Sequence, residues 1–323
     1  MFAVDDATDV HRVVMVSRSW DLLDFVGRER AHTLLRQSVH YCVQGEQHPN
    51  WVKRNQPARD LLPKLLDQHR LLGRSEGKRT ADDAWVAHLA DTIFRGTPAQ
   101  AGEAVAAALA EGFAPDAVGE AVCLAANQLI LRDEGRPQNQ TAPNKPVGSV
   151  HGDSIGVHAC DSANAWRNIA RAGDRRTRVT SLILGAYQVA QDRVERGGNF
   201  LTWEPYPRSE HREKVAAVPA DALLRELDGA IREKDQARAA AIVDRLGKAD
   251  QNASEVFALL RKYGVSEDGA LHAEKYYGTV SEEFAASRPA FRWRQLVALA
   301  RVTASEYGQP APGYKEACEL LKV

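Results

Sequence analysis

The sequence predicts an all-α protein, a helical bundle or array, and three observations carry that reading. Apolar residues recur at three- and four-residue steps through nearly every periodic segment, the spacing that lines one face of a helix. The same segments are rich in Ala, Leu, Arg, Glu and Gln, which enter helices at little cost in side-chain freedom. Runs that alternate apolar and polar residues, as a half-buried strand would, are almost absent.

Taken in order, residues 11–26 set His11, Met15, Leu22 and Phe25 on one face, and a second helix, 28–44, follows Gly27. Pro and polar residues punctuate 47–57, which predicts a break before the next helix at 59–72. A polar connection at 73–78 leads to three helices at 83–94, 98–110 and 115–131, the last two parted by the turn Glu111-Gly-Phe-Ala. Residues 132–146 are polar and carry three prolines, as a linker or an active-site loop would. Helices then resume at 159–172, 175–193, 219–233, 237–246, 253–263, 267–277, 292–307 and 315–321. The aromatic, Pro-rich stretch 197–211 reads as a lid or a packing arm.

With 323 residues, the chain is long enough to bury a substantial core. Its net charge of −1 supplies no basic field for nucleic acid or an anionic membrane, which leaves a small-molecule substrate as the expected partner, with no oligomeric state assigned. Cys42, Cys123, Cys160 and Cys318 are scattered, without the paired spacing of a zinc knuckle or a disulfide framework. The start, Met-Phe-Ala-Val-Asp-Asp, has no basic flank, and no run approaches the roughly 18 apolar residues of a membrane span. A cytoplasmic location is therefore expected.

Chemistry concentrates in residues 148–161, where His151, Asp153, His158, Cys160 and Asp161 lie among Gly148, Gly152 and Gly156. Imidazoles and carboxylates at this density suit proton transfer or metal binding. His151 and Asp153 on the Gly-rich loop are candidate acid–base or substrate-contact residues. Asp161, one turn after His158, is placed to orient its imidazole. The competing readings are a loop held by local hydrogen bonds, an inward core histidine, and an acid favoured in a first helical turn. Cys160 reads as a small buried residue, and His32, Arg36 and His40 as an exposed helical stripe.

Internal similarity adds a second pattern. Asp6-Ala-Thr-Asp-Val-His11 matches Asp153-Ser-Ile-Gly-Val-His158, and Trp20, Gly27, Arg30 and Tyr41 match Trp166, Gly173, Arg176 and Tyr187. Asp83, Ala84, Leu89 and Ile93 parallel Asp221, Ala222, Leu227 and Ile231, and Gly112 and Asp116 parallel Gly264 and Asp268. The expectation is two tandemly duplicated helical halves, 1–131 and 151–323, joined by a linker or loop at 132–150 and packed as one globular unit. Equivalent polar positions then form two sets: His11, His88 and Glu120 in the first half; His158, Glu226 and His272 in the second. Two His and one Glu are ligands that a divalent transition metal, iron, manganese or zinc, accepts, and helical bundles hold such metals on inward-facing side chains. No phosphate-binding or dinucleotide glycine motif is present, so no nucleotide cofactor is expected.

The repeated helical pairs, the segment Leu109-Ala-Glu-Gly112-Phe-Ala-Pro115-Asp116-Ala-Val-Gly-Glu120-Ala and the run Leu271-His272-Ala273-Glu-Lys275 resemble the questin oxidase-like family of all-helical proteins. The Glu-Gly-x-x-Pro-Asp piece is also similar to a helix of carboxymuconolactone decarboxylase-like proteins, without the Cys-x-x-Cys of their peroxidase branch. The first resemblance implies oxidation of a small aromatic or carbonyl-bearing substrate. Three readings follow. The leading one is a metal-dependent oxidoreductase, with the metal held by some of the six His and Glu residues. The second is cofactor-independent oxidation or isomerisation by His/Asp acid–base chemistry, and the third a non-enzymatic helical scaffold.

Overall fold

Prolines and capping side chains set where most of the helices in this computed structural model begin. It describes residues 11–142, 145–152, 154–216, 218–249, 251–266, 271–308 and 313–322. Among them are fifteen α-helices and no strand, so the chain is all-α. In chain order these are α1 (His11–Val26), α2 (Ala31–Gly45), α3 (Pro49–Gln68), α4 (Asp83–Arg95) and α5 (Pro98–Ala110). Next come α6 (Pro115–Arg132), α7 (Ile155–Ala172), α8 (Arg175–Arg196), α9 (Ser209–Glu213) and α10 (Ala220–Arg232). The last are α11 (Gln236–Lys248), α12 (Ala253–Ser266), α13 (Leu271–Ala286), α14 (Pro289–Glu306) and α15 (Tyr314–Leu321). Among the described residues, no helix is long and apolar enough to cross a membrane.

The starts of α4, α5 and α8 follow from their caps. Asp82 accepts the Trp85 N–H, Thr97 and Gln100 form a reciprocal capping box ahead of Pro98, and Asp174 accepts the Thr177 N–H. The expected break at 47–57 is not there. Helix α3 starts with Pro49 in its first turn and continues through Pro57 and Pro63. Each interior proline removes a backbone hydrogen bond, and burial of Ala58, Leu62, Leu65 and Leu66 along one face offsets that loss. Helix α7 also begins earlier than expected, at Ile155 rather than 159, and α13 extends to Ala286.

The chain divides into two compact units, Met1–Ala126 with His158–Gly198, and Asn127–Val157 with Asn199–Val323. These units are interleaved in sequence; His11 and His158, matched across the expected halves, both fall in the first. Within that unit α8 packs on α5 and α4. Gly102 brings α5 within van der Waals contact of Leu65 and Ile183, and Gly185 lets Trp166 lie against α8, where its indole N–H donates to Gln188 (2.8 Å).

In the second unit α11 lies along α14. The small side chains of Ala239, Ala240 and Ala241 are fully buried, and Gly247 leaves room for the Trp293 ring. The two ends of the 133–149 stretch are tied together. Arg136 N–H donates to Ser149 O (3.0 Å), Gly148 N–H to Arg136 O (2.9 Å), and Asp133 accepts the Gly135 N–H (2.8 Å). Gly135 and Gly148 both adopt positive φ, and a side chain on Gly135 would overlap the Gly148 backbone. The stretch is thus a closed loop whose far end delivers His151. Arg132 Nη1 donates to Trp203 O (2.6 Å) and Tyr206 N–H donates to Leu131 O (2.6 Å), which ties the aromatic stretch to the end of α6.

Candidate functional site

The second unit brings a histidine, a carboxylate and a second histidine together around one glycine. Past the closed loop, Val150 N–H donates to Ser305 Oγ (2.7 Å), and Gly152 N–H donates to Glu306 Oε1. These two bonds dock the loop on the last turn of α14. They leave His151 Nδ1 3.7 Å from Glu306 Oε1, with side chains only 2% and 5% exposed. That separation is too long for a hydrogen bond but close enough for the carboxylate to act electrostatically on the imidazole where water is excluded.

Gly152 is required by the close approach. A Cβ there would stand 2.6 Å from Glu306 Oε1 and 2.7 Å from His272 Cβ, so His272 on α13 flanks the same point. Gly152→Ala should therefore cost about 1–3 kcal/mol, the range for overpacking a filled interior, read as a lower urea midpoint at unchanged m-value. A stability equal to wild type would show that loop and helix are not packed this way.

A cavity of about 10 Å³, room for about one water, opens beside Glu306. Tyr263, Tyr276, Tyr277 and Thr303 wall it with Leu260, and the Tyr263 ring meets Tyr307 edge-on. The Tyr263 hydroxyl donates to Asp228 (2.5 Å), which also accepts from Arg232 (2.8 Å) and faces Lys262 (3.6 Å). Burial, then the Asp228 bond, pushes the Tyr263 hydroxyl well above its ordinary value of 10.0, so it stays a donor. Burial opposes ionisation of Asp228, but the Tyr263, Arg232 and Lys262 contacts outweigh it and hold the carboxyl below 3.8.

A depressed carboxyl pKa contributes stability above the unfolded value, and the contribution is lost as pH falls through the folded one. Asp228→Asn should thus destabilise by about 1 kcal/mol at pH 7 and by less once the pH is well below the ordinary carboxyl value of 3.8. Urea titrations at the two pH values test this; an equal deficit at both would remove the charge from the account.

The other expected residues are distributed more widely. Glu120 on α6 and His158 and Asp161 on α7 are buried in the first unit. Near them α7 and α8 carry a buried polar group in which Gln188 Nε2 donates to Ser162 Oγ (3.2 Å). His11 is half-buried at the start of α1, and His88 is exposed on α4. Glu226 in the second unit is half-buried, 3.9 Å from Arg238. Asp153 lies outside the described residues. Cys160 is buried, and His32, Arg36 and His40 are exposed, both as read from the sequence.

His88 faces solvent because α4 buries Val86, Leu89, Ala90, Ile93 and Phe94 on its other side. The six expected ligands therefore divide between the units, four in the first and Glu226 and His272 in the second. Among the described residues no group of three or more His, Cys, Asp or Glu side chains is arranged to hold a metal ion.

Sequence reading did not single out Glu306. Its one signal is position: it is an acid in the last turn of a helix whose last twelve residues are all buried, where the helix dipole disfavours negative charge. Such a carboxylate needs donors from elsewhere, and the Gly152 N–H is one. Comparisons with protein-family models, with curated proteins and with solved structures return no match.

Proposed function

We propose that the chain is an enzyme that moves a proton on a small organic substrate, with His151 as general acid–base and Glu306 as the carboxylate that orients it. The observation behind this reading is the buried His151–Glu306 pair, in the unit whose tyrosine-walled cavity opens at Glu306. Burying two ionisable side chains costs free energy that packing alone does not require, and such pairs concentrate at sites of chemistry. A carboxylate beside Nδ1 favours the tautomer protonated there, which makes Nε2 the basic nitrogen.

Three tyrosine rings suit a flat, aromatic partner. The resemblance to questin oxidase-like proteins points to the same class, small aromatic or carbonyl-bearing compounds, and to oxidation as the overall change. The step this chain's residues account for is the first one: His151 takes a proton from a phenol or from carbon next to a carbonyl and leaves an electron-rich phenolate or enolate. The cavity has room for about one water, so the tyrosine wall must open to admit a substrate.

The test is solvent exchange. A panel of phenolic and quinoid ketones is incubated with protein in D2O, and loss of the C–H signal next to the carbonyl is followed by proton NMR. Wild type should accelerate exchange on at least one compound, and His151→Gln, with its helical circular dichroism intact, should slow it by about 100-fold or more. Wild-type exchange no faster than buffer across the panel, or undiminished exchange by His151→Gln, would overturn the reading.

A further inference from the structure

We infer that the α1–α2 hairpin is a self-association surface, joining two copies of this chain about a two-fold axis with Phe25 of each in an apolar pocket of the other. The two helices run antiparallel in the first unit. Ser19 and Ser38 share a hydrogen bond (2.7 Å), and Cys42 Sγ donates to Arg12 O (3.7 Å). Half of the exposed large apolar side chains among the described residues fall in this one hairpin: Trp20, Leu22, Phe25, Val26, Val39 and Val43. Singly scattered apolar residues are ordinary on a surface, but such a concentration marks an interface.

The hairpin carries both a knob and a hole. Phe25 is 89% exposed, so its ring stands clear of its own chain. One turn back along α1, at Trp20 and Asp21, a pocket of about 170 Å³ opens between Leu35 of α2 and Ile169 and Ala172 at the end of α7. An apolar cavity of about 150 Å³ takes up benzene, so a phenyl ring fits this one. Leu22 lies between Phe25 and Trp20 on the same helix. A two-fold axis near Leu22 therefore fills both pockets at once, whereas any other protein would have to supply its own knob and its own hole.

The charges agree with that pairing. Asp24 precedes Phe25 and Arg36 follows Leu35; both are exposed, and neither has an ion-pair partner among the described residues. Entry of the ring into the pocket brings Asp24 of one copy toward Arg36 of the other. Asp21, on the pocket wall, is taken up by Arg18 (3.6 Å) and so repels Asp24 less. A stable dimer covers about 800 Å² on each partner. Phe25 and the 47% exposed Trp20 supply roughly 300 Å² of it, and the remaining apolar side chains and the charged rim extend the surface along both helices.

Sedimentation velocity of the full chain from 1 to about 100 μM tests the inference and should show a dimer with Kd below about 10 μM. Phe25→Ser changes an exposed position, so its helical circular dichroism should match wild type. It should raise Kd at least 100-fold, because each dimer loses two buried rings. Ala172→Trp fills the pocket from an exposed position at its edge, and should raise Kd as much with Phe25 still in place. A chain that stays monomeric at about 100 μM, which would leave the hairpin to a different protein, overturns the inference. So does a dimer whose Kd either substitution raises by less than 100-fold.

Discussion

Arg301→Ala should lower the free energy of unfolding by about 3 kcal/mol or more, the largest loss expected from any single substitution in the second unit. The side chain is wholly buried on α14 and is used on every edge. Its guanidinium donates to the carbonyls of Ile130 and Asp133, which end α6, and through Nε to Gln236 (2.9 Å). Its flat face lies 3.9 Å from the Tyr206 ring. The last carbonyls of a helix have no partner within it and form the negative end of its dipole, so a cation is the natural cap. Burial pushes the guanidinium down to about 10, still charged at neutral pH.

Removing it leaves two buried carbonyls without this donor and a cavity where an arginine stood. Arg301→Lys keeps the charge but loses the fork, and should fall between alanine and wild type. Urea unfolding measures all three; a loss below about 1 kcal/mol in Arg301→Ala would mean that water caps α6 just as well.

Arg301 also shows what the sequence conceals. It sits among Ala, Leu and Val in α14, and nothing local tells that its partners come from residues 130 and 133. The helices themselves were legible wherever punctuation was strong. Pro98 and the Thr97–Gln100 box fix the start of α5, and Pro115 that of α6, both at the expected residues. Punctuation misled at α3, because tertiary burial of Leu62, Leu65 and Leu66 carries a helix through prolines that would stop it alone. Amphipathic spacing could not rank His88 against His158. Only packing decides that α4 turns His88 to solvent while α7 buries His158.

The candidate site was legible in part and for separate reasons. His151 stood out through the glycines around it, and His272 through a proposed repeat mate. They meet at Gly152, where the close approach explains the glycine better than a flexible hinge does. Glu306, which lies against both the Gly152 amide and His151, is separated from them by more than half the second unit's chain, and no short-range pattern links residues so distant.

Glu306→Gln should slow substrate deuterium exchange by about 100-fold, because the neutral amide keeps the acceptor for Gly152 N–H but no longer sets the tautomer or charge of His151. If the two side chains act as one unit, the double substitution His151→Gln/Glu306→Gln should be hardly worse than His151→Gln alone. Independent roles would instead multiply the two losses. The cycle therefore separates a carboxylate that works through His151 from one that merely holds the loop. A structural role predicts that Glu306→Gln lowers the urea midpoint while exchange per folded molecule stays at the wild-type rate. Glu306 acting through the imidazole predicts the reverse, a folded protein with slow exchange and a double mutant indistinguishable from His151→Gln.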